Sequence, residues 1–426
     1  MTTILVILFL PIVFVDSIVM KSFYFLLLSI CYGFMSYKKN RAIHDPRVLF
    51  IPILAIYSSF YPLQQMIVPN QILPIDMEIL NYSLNLSLIF TFTVAFVFEL
   101  TSKPKYTYNI RYETIRSSDK LFLLIILAIS ITLFILIYFR AASNKQDLYS
   151  FANSLQLFTL FFGTFLLTRL LASRATKLIS MPTILIFILS VFSMLIQGER
   201  DVIFRFLLLT VIIFFSFRKN PKISIYFMLI GVMILVVPIS QIFKGILNYN
   251  TFTGLSFDAE LIANLLLSNE FISAGRNLYA TILYSAPGEN SWFFFTDIVR
   301  GLFPIGIFGG EIVSSTNWYN SEFREINGFS GSAGWGFSII AQGYIIGGIW
   351  GVIIMAILIA LSLGSLFNMS FKSLNHYVFY LFFLSASIYA VRADLATVLS
   401  LGVKLPLACM IIIYFFRQFF PKVSNS

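Results

Sequence analysis

Charge is scarce in this chain. Lys, Arg, Asp and Glu make up 11% of its 426 residues, whereas soluble globular domains carry about 25%. Hydrophobic residues contribute 58%, and Phe alone occupies 48 positions. Apolar runs of about 20 residues, long enough to cross a hydrocarbon core of about 30 Å, recur along the chain. This composition excludes a soluble domain and predicts an all-α polytopic membrane protein.

Other features are missing as well. The two cysteines, Cys31 and Cys409, both lie in apolar runs, which argues against a disulfide framework. No H-E-x-x-H, G-x-S-x-G or P-loop motif occurs, so a protease, an esterase and an ATPase lose support. The formal charge is +10, but the basic residues lie in short connectors. Nucleic acid is therefore not a predicted partner.

The apolar runs predict about twelve transmembrane helices. The first run lacks both a preceding basic segment and a following cleavage site, so we expect a retained helix. Lys and Arg concentrate in alternate connectors, whereas the connector VPNQILPIDME has neither, and this bias predicts that both termini are cytoplasmic. The predicted spans are 3–19, 22–37, 48–68, 80–100, 120–139, 151–172, 181–197, 201–217, 223–243, 336–360, 375–391 and 396–416.

One predicted connector is far longer than the rest and lies on the external side. It divides the chain into spans 1 to 9 at 1–243, a large external loop at 244–335, and spans 10 to 12 with a cytoplasmic tail at 336–426. Within the loop, residues 291–308 are apolar but interrupted by Asp297, Arg300 and Pro304, which predicts an interfacial or re-entrant segment. Long ordered loops are usually functional, so the candidate chemistry is sought there.

Arginine is frequent on the predicted external side, where the positive-inside bias disfavours it. The residues concerned are Arg140, Arg200, Arg205, Arg276, Arg300, Arg324 and Arg392. A guanidinium offers a fixed fork of donors that matches phosphate oxygens and keeps its charge. Several arginines in one cavity would bind a diphosphate, with Arg200 and Arg276 preferred. The alternative is an ordinary loop charge or a local pair, such as Asp201 with Arg205 on one helix face.

A carboxylate beside such arginines would stay ionised and serve as a general base. The acids of the loop are Asp258, Glu260, Glu270, Glu289, Asp297, Glu311, Glu322 and Glu325, most of them expected to be solvated surface charges. Both histidines, His44 and His376, fall in predicted cytoplasmic connectors, so no external His is available. The D-x-E pairs that begin at Asp76 and Asp258 are weak metal patterns, and arginines make a metal unnecessary.

Aromatic residues also concentrate in the predicted loop. Trp318 and Tyr319 are surrounded by Asn317 and Asn320, a setting in which an aromatic face can stack on a sugar ring. The alternative is an aromatic belt at the membrane interface, which is the more common cause of such residues.

The sequence GFSGSAGWGFSIIAQGYIIGGIWG at 328–351 resembles the Wzy-type O-antigen polymerases. These proteins polymerise the oligosaccharide repeat units of bacterial surface polysaccharides. The G-E-R-D sequence at 198–201 and the G-R-N sequence at 275–277 are similar to two further landmarks of that family. The chain departs from the pattern at Gln342, where many members carry an acid, so a catalytic acid at that position would have to be replaced by another.

The resemblance implies a GT-C-like glycosyltransferase of the bacterial inner membrane with a periplasmic active site. Its substrates would be undecaprenyl-diphosphate-linked oligosaccharides, its surroundings membrane lipid, and its partner a chain-length regulator protein, with no cofactor or metal. The expected substrate-binding residues are Arg200, Arg276, Arg300, Arg324, Arg205, Trp318 and Tyr319, and the expected base is Glu322, Glu325 or Glu270. Two alternatives stay open: a flippase for the same lipid-linked oligosaccharide, and an O-antigen ligase, which is expected to carry a functional His in its loop.

Overall fold

The computed structural model describes residues 2–40, 42–67, 73–102, 145–172, 200–217, 271–303, 312–323 and 336–419, with short pieces between 124 and 132 and between 224 and 231. Every regular element in these residues is a helix, which confirms the all-α prediction. The helices are α1 (Thr2–Ile7), α2 (Phe9–Ile12), α3 (Ile18–Asn40), α4 (Pro46–Ile67), α5 (Met77–Thr101), α6 (Lys145–Ala172), α7 (Arg200–Ser216), α8 (Phe271–Tyr284), α9 (Phe293–Leu302), α10 (Ser315–Trp318), the π-helix π1 (Tyr319–Phe323), α11 (Ile339–Ser370), α12 (Leu374–Ala390), α13 (Leu395–Leu399), the π-helix π2 (Ser400–Lys404) and α14 (Leu405–Phe419).

Several of these helices suit a membrane. Five in the described part of the chain are long and apolar enough to cross one: Ile18–Asn40, Pro46–Ile67, Met77–Thr101, Ile339–Ser370 and Leu395–Phe415. The protein is therefore a helical membrane protein. The predicted total of twelve spans stays a prediction, and the predicted span at 181–197 lies outside the described residues.

The chain forms two compact units. The first comprises Met1–Tyr106, Thr253–Asn368 and Phe382–Lys404, and the second Thr107–Phe252, Met369–Leu381 and Leu405–Ser426. The first unit therefore combines the N-terminal helices with most of the segment predicted to be an external loop. In the second unit α6 packs against α7, where Phe206 lies 3.9 Å from the position of a Cβ on Gly163.

The first predicted span, 3–19, is not one helix. Helix α2 ends at Ile12, and α3 begins only at Ile18. The fully buried Lys21 donates to the carbonyl oxygen of Val13 at 2.9 Å and to the amide oxygens of Asn81 and Asn85 at 2.6 and 2.8 Å. The break frees the Val13 carbonyl from helical pairing, and the lysine satisfies it. Sequence hydropathy alone does not reveal this polar contact.

The predicted span 336–360 is interrupted as well. The backbone of α11 is not helical at Gly347 and Gly348, and Gly348 has a φ of 58°. In an unbroken helix Gly343 and Gly351 would lie about 12 Å apart, yet a Cβ on Gly351 would collide with the Gly343 carbonyl oxygen. Residues 339–346 therefore fold back against the long arm, 349–370. That arm alone exceeds the roughly 20 residues that a span needs.

Helix α8 packs along α4 within the first unit. The ring of Phe271 lies 5.1 Å from that of Tyr57, and the ring of Tyr279 lies 5.7 Å from that of Tyr61. Tyr57 is the twelfth of the 22 residues of α4, so α8 runs beside the second half of a candidate membrane span. The Tyr279 hydroxyl accepts from the backbone N–H of Asp76 at 2.7 Å. This part of the predicted loop thus belongs to the helical body of the unit.

Candidate functional site

The G-R-N sequence, residues 275–277, lies at the contact between α8 and α4. A Cβ on Gly275 would sit 2.9 Å from the Cβ of Tyr61, so only glycine allows α8 to approach this closely. The next residue, Arg276, is half-buried and lies close enough to Tyr319 and Tyr61 for electrostatic interaction with both phenol groups. The glycine thereby fixes the depth at which the guanidinium sits.

Tyr319 joins the G-R-N sequence to a second motif, the G-F-S sequence. Its hydroxyl donates to the Oδ1 of the buried Asn277 at 3.2 Å. Its ring is fully buried and lies 5.0 Å from that of Phe323 and 5.0 Å from that of Phe337. Tyr319 is therefore a positioning residue that holds the G-R-N sequence against the G-F-S sequence, residues 336–338. Since its ring is enclosed, it does not offer a face to a sugar.

The G-F-S sequence also contacts Arg392. The backbone N–H of Phe337 donates to the Arg392 carbonyl oxygen at 3.0 Å. Gly336 has a φ of 72°, and a Cβ there would sit 2.7 Å from the same carbonyl oxygen. Both facts require glycine. The Arg392 guanidinium lies over the ring of Tyr389, 5.4 Å from its centroid, an arrangement that holds the cation next to the motif.

A network of polar side chains surrounds Asp297, which is fully buried on α9. Its carboxylate accepts from the backbone N–H of Ser315 at 3.1 Å and from the Ser315 hydroxyl at 2.5 Å. It also accepts from the side-chain amide of Gln342. The Gln342 amide oxygen in turn accepts from the backbone N–H of Leu395 at 2.8 Å. The residue that departs from the polymerase pattern thus connects α9 to the start of α13.

Burial, together with the neighbouring charge of Asp394, raises the pKa of Asp297 to about 8. Asp394 itself caps α13, since its carboxylate accepts from the backbone N–H of Thr397 at 2.8 Å. Its other oxygen accepts from the backbone N–H of Thr316 at 3.2 Å. Both carboxylates therefore hold α10 in place. Asp297 has no exposed surface, so it acts as a positioning residue and does not touch substrate in this conformation.

Arg300 lies one turn after Asp297 on α9. Its guanidinium donates to the carbonyl oxygen of Ile312 at 3.0 Å. With the Asn317 amide oriented so that its oxygen faces the guanidinium, two further bonds form at 2.8 and 3.1 Å. These acceptors are neutral, so the positive charge of Arg300 is retained. Asn317 and Tyr319 belong to adjacent helices, α10 and π1, which link Arg300 to the Arg276 side of the site.

The predicted site residues are only partly assembled by the described structure. Arg276, Arg300, Trp318 and Tyr319 come together around α10 and π1. The Trp318 ring is half-buried between those of Phe293 and Phe323, at 5.4 and 5.2 Å. The other predicted residues are not part of this group. Arg205 is buried in the second unit. Arg200 begins α7 and Glu322 lies within π1, but the side chains of both are outside the described residues, and Arg324, Glu325 and Glu270 lie wholly outside them.

Some residues of the site were not singled out by sequence reasoning. Asn277 and Gln342 carry connecting hydrogen bonds, and Lys404 lies beside Arg300 with its Nζ 3.4 Å from the Arg300 carbonyl oxygen. Gln342 was noted only as a departure from the family pattern. The signal for Lys404 was present, because it is the sole charged residue in the predicted span 396–416.

Comparison with known proteins identifies no relative. No family model, no curated protein and no solved structure matches the chain. The likeness to the Wzy-type polymerases therefore rests on the short motifs alone, and the geometry around them carries the functional argument.

Proposed function

We propose that this chain is a membrane glycosyltransferase that polymerises undecaprenyl-diphosphate-linked oligosaccharide repeat units into a bacterial surface polysaccharide. The reaction takes place at the periplasmic face of the inner membrane. An acceptor hydroxyl of one lipid-linked unit attacks the anomeric carbon of the growing chain. The bond from that carbon to the diphosphate oxygen breaks, and undecaprenyl diphosphate leaves. Guanidinium groups stabilise the charge that develops on the diphosphate, and no metal is needed.

The observation that carries this proposal is the meeting of the G-R-N and G-F-S sequences at Tyr319. Each motif brings an arginine, since Arg276 lies in the first and Arg392 contacts the second. Phosphate oxygens are the ligand that such rigid, permanently charged donors suit best. A half-buried cation beside a candidate membrane span also suits a substrate whose charged group is attached to a lipid.

The general base belongs to the same proposal. Glu322, Glu325 and Glu270 are its candidates, and Glu322 lies in π1, the helix that also carries Tyr319. A carboxylate kept ionised by nearby arginines accepts the proton of the acceptor hydroxyl as the new glycosidic bond forms. A chain-length regulator protein is the proposed partner, because polymerisation by repeated transfer does not itself set a length.

The test is an assay with the purified protein in detergent micelles. The protein is incubated with undecaprenyl-diphosphate-linked repeat units from the cell that produces it, and the products are separated by gel and weighed by mass spectrometry. We expect a ladder of products that differ by one repeat unit, with one undecaprenyl diphosphate released for each bond formed. A flippase gives no ladder, because micelles allow no transport. A ligase gives transfer onto a lipid core without lengthening, and either result would reject the polymerase.

A further inference from the structure

Arg300 and Lys404 are two cations placed side by side in the first unit. Lys404 ends π2 and donates to the Arg300 carbonyl oxygen at 3.4 Å, and the two positive charges are close enough to repel each other. Both side chains are half-buried. In the described part of the chain, no carboxylate lies within ion-pair distance of either one. The nearest acid on α9, Asp297, is close enough to Arg300 to interact with it electrostatically, but its oxygens accept hydrogen bonds from Ser315 and Gln342.

The position of Lys404 makes it costly to hold these two positive charges side by side. Lys404 is the tenth of the 21 residues of the candidate span Leu395–Phe415, close to its middle. A charged group within a membrane span normally pairs with an opposite charge or marks a functional pathway. Side chains on a helix tilt toward its N-terminus, so Lys404 points toward the Leu395 end, which the sequence predicts to be external. The π-helix that ends at Lys404 is a geometry found frequently at functional sites.

Helix α9 supplies an apolar surface next to these cations. Its inward face carries Asp297 and Gly301, and a Cβ on Gly301 would sit 2.6 Å from the Cβ of Leu399. The outward side carries Phe295 of the helix and the flanking residues Trp292 and Phe303, which are 58%, 70% and 49% exposed. The polar side thus faces the protein and the aromatic side faces outward. This is the reverse of a helix in water and is the pattern of a segment set into lipid.

We propose that Arg300 and Lys404 form a second anion site, which binds the phosphate group of a polyprenyl carrier lipid whose chain lies along the aromatic face of α9. The phosphate of such a ligand supplies negative charge to the cation pair. Its apolar chain covers the exposed aromatic rings. This inference rests on the proposed function, because a polymerase must hold two lipid carriers at once. The Arg276 site takes one diphosphate and the Arg300–Lys404 site the other.

Thermal unfolding of the purified full-length chain in detergent tests this site without any glycan transfer. The probe is undecaprenyl phosphate, with phosphatidylglycerol and inorganic phosphate as comparison ligands. We expect undecaprenyl phosphate to raise the midpoint of unfolding, and Lys404→Met to weaken its apparent affinity about tenfold or more. Lys404→Arg keeps the charge and is expected to keep the binding. Lys372→Met removes a lysine from an exposed turn and serves as the matched control.

Unfolding without added lipid separates the site from an internal ion pair. An empty site leaves the two cations repelling each other, so Lys404→Met is expected to unfold at the same or a higher temperature than the unaltered protein. If Lys404→Met and Glu311→Gln both lowered the midpoint of unfolding, an acid of the chain itself would balance the lysine. That result would overturn the proposal.

Three further results would also overturn it. They are an unchanged affinity in Lys404→Met, a Lys404-dependent effect of phosphatidylglycerol equal to that of undecaprenyl phosphate, and an equal effect of inorganic phosphate. Failure of the polymerase itself is distinguishable from these. In that case the lipid binds through Lys404, but the purified protein makes no ladder of products.

Discussion

Two groups of charged side chains in the first unit differ in how their charge is balanced. Near the start of α4, Arg47 donates to Asp45 at 2.7 Å and to Glu99 at 3.3 Å. Tyr32 and Thr2 donate hydroxyl hydrogens to the two oxygens of Glu99 at 2.9 and 2.8 Å. In this group, which we call the closed cluster, opposite charges meet and each of these donors has an acceptor within the chain.

The second group, the cationic site, comprises Arg300 and Lys404, whose side chains are half-buried. The hydrogen bonds that Arg300 and Lys404 donate in the described residues end on neutral oxygens. These bonds orient the two side chains without neutralising their positive charge. Burying a charge is tolerated when it is paired, and it is costly otherwise. The comparison teaches that the closed cluster serves the fold, whereas the cationic site has the positive charge that the proposed phosphate ligand requires.

The largest expected effect comes from breaking the closed cluster. Arg47→Met leaves Asp45 and Glu99 buried without their counter-charge, which we expect to cost about 3–5 kcal/mol of unfolding free energy. Denaturation of the purified protein and its abundance in membranes measure this loss. The triple variant that adds Asp45→Asn and Glu99→Gln removes all three charges and should recover much of it. An unaffected Arg47→Met protein would mean that the cluster is not structural.

Arg276→Ala tests the other proposed role of a charged side chain, which is to bind a diphosphate. We expect the rate of chain lengthening to fall on the order of 10²–10³-fold, the usual consequence of removing a donor that stabilises developing charge. Folding is expected to be retained, because the side chain of Arg276 is only half-buried. Arg276→Lys should restore part of the rate because it restores the charge without the fork of donors. Lengthening at the normal rate in Arg276→Ala would remove this arginine from the site.

Gly301→Ala tests whether the cationic site depends on the close packing of α9 against α13. The added Cβ would meet the Cβ of Leu399 at 2.6 Å and the carbonyl oxygen of Ala396 at 2.9 Å. We expect a cost of about 1–3 kcal/mol as α9 moves away from α13, together with weaker binding of undecaprenyl phosphate. Gly163→Ala is the control, because a Cβ there meets only Phe206 at 3.9 Å. Equal behaviour of the two variants would show that the α9 contact is loose.

Per pH unit, the pH dependence of stability gives the smallest expected effect, and it is specific to one residue. Burial, with the charge of Asp394, raises the pKa of Asp297 to about 8, against about 3.9 in an unfolded chain. The stabilisation is therefore fully present below the unfolded pKa and is lost as the pH rises through about 8. The slope contributed by one group is at most about 1.4 kcal/mol per pH unit.

Asp297→Asn should flatten this slope between pH 5 and pH 9, whatever its effect on absolute stability. Thermal unfolding across that range measures the slope. Asp76→Asn is the control, since Asp76 caps α5 at its exposed end and asparagine caps equally well. A slope that persists in Asp297→Asn would assign the pH dependence to another group.

Much of the fold was predictable because it depends on local patterns. The helices α3, α4, α5 and α12 follow the predicted spans within a few residues, since long apolar runs leave the backbone no partner other than itself. The interruptions of the helices within these apolar runs were harder to predict. Gly347 and Gly348 look like ordinary helix glycines in the sequence, and only the contact of Gly343 with Gly351 shows that the chain reverses there.

The candidate site was likewise predictable only in part. Arg276 and Arg300 were singled out because arginine is disfavoured on the predicted external side, a property that the sequence carries. Their neighbours were not predictable, because Tyr319 reaches Asn277 across 42 residues and Gln342 reaches Asp297 across 45. Lys404 was passed over because one lysine within an apolar run gives no sign of what lies beside it.

The sequence by itself thus determined that the chain is a helical membrane protein and which residue types were available for binding phosphate. Hydropathy and charge are properties of residues one at a time or over short runs, so composition and order suffice for them. Only the tertiary structure decided which charges cancel and which stay open. That outcome depends on distances between side chains from remote segments, such as Arg47 with Glu99 and Arg300 with Lys404.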